Sequence, residues 1–386
     1  LIYLDNAAST PIADQVLQEM LPYLKENYGN PSSIHRFGRL ATKAIDAARK
    51  RIADIIGAQP HEILFTSGGT ESNNMALFGV LCKGAAPLVT SSIEHDAILE
   101  PCKRLESQGH PVTYLPVDSS GTVDIEKLKS AVTDQTGLVS IMYANNEVGT
   151  IQPIKEIAQI CKQHKVLFHT DAVQAVGKVP IDVEELGVDL MSISSHKIHG
   201  PKGIGALYIR SGVQIAPLVL GGGQENGLRS GTENVANIVG FGKACQLAKE
   251  NMEANSAHLK NLRDRLIQKV TTEISHVSVN GHRKNRLPNN AHFTFLGVNG
   301  EDLIIKLDEN GIAASTGSAC SVKTQKASHV LAAMGFSHEQ ITGSLRLTVG
   351  LTNTLQEIEN TVTVLKKIVA ELRSVSPFKT KYGFAN

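Results

Sequence analysis

Short apolar runs separated by amphipathic stretches fill the first two thirds of this chain, and that alternation constrains the fold most. Residues 62–65, 87–90, 137–142, 166–169, 190–193 and 206–209 are compact, mostly apolar runs. Stretches with helical spacing lie between several of them, such as 71–82 and 155–164. Strands alternating with helices predict a largely parallel sheet with helices on both faces. After about residue 250 the pattern changes. A long charged helix is predicted over 235–270, then strands at 277–279, 290–295 and 345–349, and a terminal helix over 355–372. These read as a smaller α+β unit.

Composition narrows the function classes. With 38 basic and 37 acidic residues the net charge is +1, which gives no support for nucleic acid or a membrane surface as the main partner. No apolar run reaches the roughly 18 residues of a membrane span. The opening Leu1-Ile2-Tyr3-Leu4-Asp5 lacks a basic n-region and a long apolar h-region, so no secretory signal is expected. The five cysteines are Cys82, Cys102, Cys161, Cys245 and Cys320, an odd and widely spaced set without a CxxC pair. Neither a disulfide framework nor a metal site is expected, and a reducing, cytoplasmic compartment fits. Aromatic content of 4% with no Trp argues against a platform for stacking single-stranded nucleic acid.

Chemistry-bearing residues cluster where strands end, which is where open α/β sheets bind ligands. Ser194-Ser195-His196-Lys197 follows one strand, and a lysine held there can form an imine with a carbonyl cofactor. A solvated loop lysine is the plainer alternative. Asp171, with Gln174 three residues on, follows another strand. Its carboxylate can pair with a protonated pyridine nitrogen, and Gln174 can reach a ring substituent; Asp171 could equally be a helix N-cap. In Thr66-Ser67-Gly68-Gly69-Thr70-Glu71 a strand meets a helix start, whose free N–H groups and Thr70 hydroxyl suit a phosphate. His95 could stack on a ring and exchange protons, or be structural. Asn146 could hydrogen-bond cofactor or substrate. Together these residues match the needs of a pyridoxal phosphate (PLP) site.

The chain resembles the cysteine desulfurases of the NifS/IscS type, which are fold-type I PLP enzymes of the class-V aminotransferase family. The resemblance runs nearly end to end. It rests on Tyr3-Leu4-Asp5-Asn6-Ala7-Ala8, Gly29 to His35, Thr66 to Asn73, Ala144 to Gly149, Thr170 to Gln174, Ser194 to Gly203, Gly221 to Thr232 and Ser315 to Ser321. It implies an α/β fold with a mostly parallel seven-stranded sheet flanked by helices. The large PLP-binding domain would span 15–255, and a small α+β domain would comprise 1–14 and 256–386. It further implies that Lys197 carries the cofactor as a Schiff base, Asp171 pairs with the pyridinium, Gln174 meets the phenolic oxygen and His95 stacks on the ring. Asn146 would lie near the substrate, while Gly69, Thr70, Ser194 and His196 would hold the phosphate. Thr232 would complete the phosphate site of a second subunit, making a homodimer. Arg346 would bind the substrate carboxylate, a task suited to a planar fork.

Cys320 sits among small residues in Ser315-Thr316-Gly317-Ser318-Ala319-Cys320-Ser321, a setting for an exposed loop and a nucleophilic thiolate. The other four cysteines read as small buried hydrophobes in helices. Cys320 matches the persulfide-forming cysteine of the family. The implied reaction has L-cysteine displace Lys197, Lys197 remove the Cα proton with His95 as a further acid or base, and Cys320 take the sulfur, leaving alanine. The acceptor would be an iron–sulfur scaffold or a tRNA-thiolation carrier. Asn226, Leu351 and the run Val322-Lys323-Thr324-Gln325-Lys326-Ala327 depart from the family pattern and bear on acceptor choice. A selenocysteine lyase, or a PLP-binding partner protein without turnover, are the competing readings.

Overall fold

The structure, a computed structural model, describes residues 1–317 and 327–384. Twelve strands occur among them: β1 (Ile2–Tyr3), β2 (Ile63–Thr66), β3 (Leu88–Ser91), β4 (Val112–Leu115), β5 (Leu138–Ser140), β6 (Leu167–Asp171), β7 (Leu190–Ser194), β8 (Gly205–Ile209), β9 (Val277–Asn280), β10 (Asn290–Phe295), β11 (Ile312–Ala313) and β12 (Ser344–Thr348). β2 to β8 form one sheet in the order β2-β8-β7-β6-β5-β3-β4. Pairing is parallel from β4 through β3, β5 and β6 to β7, while β8 runs antiparallel to both β7 and β2. Every strand but β8 therefore ends at the same edge. Buried side chains on both faces, Val89, Val139, Phe168 and Met191 on one and Leu88, Leu138 and Leu190 on the other, explain why these strands read as continuous apolar runs. The edge strand β4 buries only Leu115, and with so little apolar signal its sequence does not announce it.

The helix Arg36–Ile56 buries Ala41, Ala44, Ile45, Ala48, Ile52 and Ile56, one apolar stripe at helical spacing. It stops at Gly57, whose φ of 71° reverses the chain while its N–H donates to Ala53 O. Its alanine face lets the helix Val235–Glu250 approach closely. A Cβ on Gly242 would lie 2.6 Å from the Ala48 Cα.

A second core joins Leu4, Leu262, Leu266, Phe293, Phe295, Leu345, Leu347 and Leu365. It lies between the antiparallel sheet β12-β10-β9 and the helices Met252–Glu273 and Leu355–Ser374. The N-terminal strand β1 joins this part by pairing with β11, Ile2 opposite Ile312.

Two expectations are corrected. The helix expected over 235–270 is two helices, Val235–Glu250 and Met252–Glu273. Asn251 divides them, its side chain donating to Leu247 O at 2.9 Å, the backbone competition that makes Asn a poor interior residue. Cys102, Cys161 and Cys245 are buried in helices, but Cys82 is exposed: the preceding helix ends at Val80, before the turn that leads to β3. No helix among the described residues is long and apolar enough to cross a membrane.

Because the Gly242 contact is backbone against backbone, Gly242→Val cannot be relieved by a side-chain rotation. It should cost about 1–3 kcal/mol, read as a lower urea midpoint. An unchanged midpoint would mean the two helices separate freely.

Candidate active site

The shared edge of the sheet opens into a cavity of about 760 Å³. Lys197, Asp171, Gln174, His95, Asn146, Gly69, Thr70, Ser194, His196 and Arg346 all line it. They come from five strand ends of the large sheet and, for Arg346, from β12. β7 leads into the turn carrying His196 and Lys197, β6 ends at Asp171, β2 leads to Gly69, β3 to His95 and β5 to Asn146.

Lys197 Nζ donates to the carbonyls of Ala7 at 2.6 Å and Ala8 at 2.8 Å. The same N-terminal segment is laced to the lysine turn by Thr10 N and Thr10 Oγ1, both donating to His196 O at 3.0 Å. Asp171 is anchored twice: Oδ2 accepts from Asn73 Nδ2 at 2.6 Å and Oδ1 from Val173 N at 2.9 Å. No motif in the sequence marks Asn73 for this role, although its place one turn into the helix Gly69–Val80 aims it at the end of β6. Gln174 Nε2 donates to Ala7 O at 2.9 Å, and its buried Oε1 has no partner among the described residues.

His95 caps the helix Asp96–Ser107, its Nδ1 accepting from Ala97 N at 3.0 Å. Burial holds its pKa below the usual histidine value, with Asp171 and Asp96 opposing the shift and Lys197 and His329 adding to it. The ring is thus neutral with its proton on Nε2. Glu94, beside it, is fully buried and pushed up to about 8 by burial. Its Oε1 accepts from Ser91 Oγ at 2.6 Å and Met142 N at 2.9 Å, tying the β3 turn to the end of β5. Glu147 lines the cavity and is likewise raised by burial, with Ser328 Oγ donating to it at 2.6 Å.

At the other end, Gly69 and Thr70 open the helix Gly69–Val80 beside an adjoining recess of about 390 Å³. Ser67, Ser194, His196 and Lys202 also line it. Unpaired helix-start N–H groups with a lysine alongside suit a phosphate. His196 is pushed down to about 4 by burial, then by Lys197, Lys202 and Lys178.

Arg346, on β12, is 2% exposed. One terminal nitrogen donates to Asn146 O at 3.0 Å and Gly317 O at 3.1 Å, the other to Asp5 Oδ1 at 2.8 Å, and its buried Nε has no partner among the described residues. Thr232 is exposed and lines a separate recess of about 290 Å³, away from the main cavity. Gly317 and Ala327 line the cavity, and Cys320 between them lies outside the described residues.

These residues fit PLP: a lysine, a carboxylate fixed by two donors, an unpartnered amide oxygen and a helix-start anion recess share one space. The Aminotransferase class-V family model matches residues 2–361. Cysteine desulfurase IscS of Dictyoglomus turgidum is 52% identical, covering 99% of this chain and 98% of that relative. Its namesake from Methanosarcina thermophila is 51% identical over 98% and 95%.

The chain is a class-V aminotransferase family member, of the NifS/IscS type.

Class-V aminotransferase relatives of known structure agree in fold. A solved NifS-like protein superposes with a TM-score of 0.90 at 40% identity, covering 96% of this chain and 99% of that one. A structure titled SspA in complex with cysteine gives 0.81 at 40% identity over 90% and 99%. The family is PLP-dependent. Burial of Glu94 keeps it protonated at neutral pH, and that has a measurable sign. The folded state holds this proton up to about pH 8, while the unfolded chain loses it near 4.5. Glu94 therefore costs stability as pH rises through that window. Glu94→Gln should gain on the wild type in thermal unfolding from pH 5 to pH 8; a constant difference would show that Glu94 is ionised throughout.

Proposed function

We propose that this protein is a cysteine desulfurase that uses PLP to release the sulfur of L-cysteine onto Cys320, leaving L-alanine. The observation that carries the reading is one cavity in which Lys197, the doubly anchored Asp171, the Gly69–Thr70 recess and Arg346 converge. When bound, the cofactor supplies an electron sink for the pair released at the substrate Cα.

The chain's own groups do the rest. Lys197 holds the cofactor and, once the substrate amine replaces it, accepts the Cα proton at Nζ. Asp171, kept in place by Asn73 and Val173, holds a proton on the pyridine nitrogen. Gly69, Thr70, Ser194 and His196 hold the phosphate, and Gln174 and Asn146 orient ring and substrate. His95, neutral with its proton on Nε2, offers that proton inside the cavity. Arg346 takes the substrate carboxylate at its unpartnered Nε side. The Cys320 thiolate attacks the substrate sulfur. An S–S bond forms as the substrate C–S bond breaks, and the pair left on carbon is protonated.

A homodimer, with Thr232 reaching the partner's phosphate site, is supported by the exposure of Thr232. An exposed apolar group, Leu24, Tyr28, Ile34 and Phe37, supports the same reading. The sulfur acceptor is an iron–sulfur scaffold or a tRNA-thiolation carrier. Free Cys82, Cys102, Cys161 and Cys245 accord with a reducing, cytoplasmic setting.

The deciding experiment adds labelled L-cysteine and reads Cys320 by mass spectrometry. Wild type should carry a persulfide; Cys320→Ser should keep its yellow colour and transfer no sulfur, and transfer persisting in that variant would refute the nucleophile. Lys197→Ala should be colourless. Arg346→Lys loses the planar fork and should raise the KM for L-cysteine about tenfold; an unchanged KM would remove Arg346 from carboxylate binding.

A further inference from the structure

A second cavity, of about 510 Å³, lies on the far side of the lysine turn. Lys197 lines it too, together with Lys178, His199, Asn6, Asn251 and Asn289. Lys178 is 6% exposed, and its Nζ donates to Gln174 O at 3.0 Å. No carboxylate of the described residues lies within ion-pair distance of it. A buried lysine without a counter-charge is expensive, since burial disfavours the ammonium and nothing restores it. Sites that keep such a group commonly use it.

Its neighbours suggest the use. Gln174 accepts from Lys178 at its carbonyl and donates through Nε2 to Ala7 O, the same carbonyl that receives Lys197 Nζ. One short chain of groups therefore joins the two amines, and the shared wall of the second cavity brings them close. We propose that Lys178 is a positioning residue for Lys197, its buried amine, when protonated on the acid side, disfavouring a charged nitrogen on Lys197. Like charges in a poorly solvated space repel, and the repulsion acts on both partners equally. Burial first, and the Lys197 charge second, lower the Lys178 pKa to about 7, and the second of these is the same repulsion seen from the other side. A base that must take a proton from carbon needs its amine uncharged, and a neighbouring cation is one established way to keep it so.

Other charged and titratable groups share the space around the pair, among them Glu100 and Lys103 on the helix Asp96–Ser107 and His329 at the start of the helix His329–Ala333. His95 and Asp96 face Lys197 from the start of the helix after β3, Asp171 from β6, Glu147 from the turn after β5 and Arg346 from β12. His196 flanks Lys197 in its own turn and feels Lys178 as well. His199 also feels Lys178, and Asp14 sits on the exposed rim of the second cavity. Asp171 and Asp96 favour a charge near Lys197, so Lys178 acts against them.

The inference rests on Lys197 as the cofactor-bearing base, which the colour of Lys197→Ala tests separately. Its own test is a visible-absorbance pH titration of the holoenzyme, with the acid limb of kcat measured in parallel. Lys178→Met and Lys178→Gln should move the midpoint of the Lys197-linked absorbance, and the acid limb, about one pH unit upward. Lys178→Arg keeps the charge, has the second cavity to receive its larger head, and should titrate near the wild type. If Met does not fold, Gln retains a donor for Gln174 O and decides the matter. A structural role lowers the melting temperature and leaves the midpoint within about 0.2 unit of wild type; that result overturns the proposal, as does a Lys178→Arg midpoint that follows Met and Gln.

Discussion

Six strands running in one direction bring their ends to one edge, and the site exists because of that constraint. A parallel strand cannot turn back on itself, so each must leave through a long crossover and return from the other end. The turns at the shared edge are therefore free of the job of joining neighbours, except the one after β7, which carries Lys197 and leads into the antiparallel β8. Lys197, Asp171, His95, Gly69 and Asn146 stand at five strand ends along this edge. The antiparallel β8 carries none of these residues to that edge; it pairs with β7 and β2 and closes the sheet beside them.

The interior around these turns is kept electrically quiet. Glu94 and Glu147 are raised by burial, while His95, His196 and His169 are lowered by it. His169, pushed down to about 3, bonds Ser140 and Ser192 through its two ring nitrogens and joins β5, β6 and β7 as a neutral polar link. Neutral groups can be buried at the cost of their hydrogen bonds alone, whereas charges need partners. The charges that remain, on Asp171 and Arg346 above all, then act over a short range without screening by like neighbours.

Much of this was legible in the sequence, for a physical reason. Buried parallel strands are apolar on both faces, so each strand end appears as the point where an apolar run meets polar residues, and Asp171, His95 and Lys197 stand at those points. What escaped reading was long-range or carried by backbone. Ala7 and Ala8 act through carbonyls that every residue possesses, 190 and 189 positions from Lys197. Asp5 meets Arg346 across 341 positions. The break at Asn251 was missed because one asparagine is only a weak interruption to helical periodicity. The buried state of Glu94 follows from its packing, which an acidic residue in a motif does not reveal.

The N-terminal segment has a consequence for how the molecule is made. Residues 4–10 bond to Ala313 and Thr348 on one side and to His196 and Lys197 on the other. They leave the ribosome about 300 residues before their partners on β11 and β12, the last two strands among the described residues. The parallel sheet can form while the chain is still growing, but the grip on Lys197 must wait for the distant end. Lys197 is thus seated only once β11 and β12 have been made, and a nascent chain that lacks them would offer a folded sheet with an unfinished site.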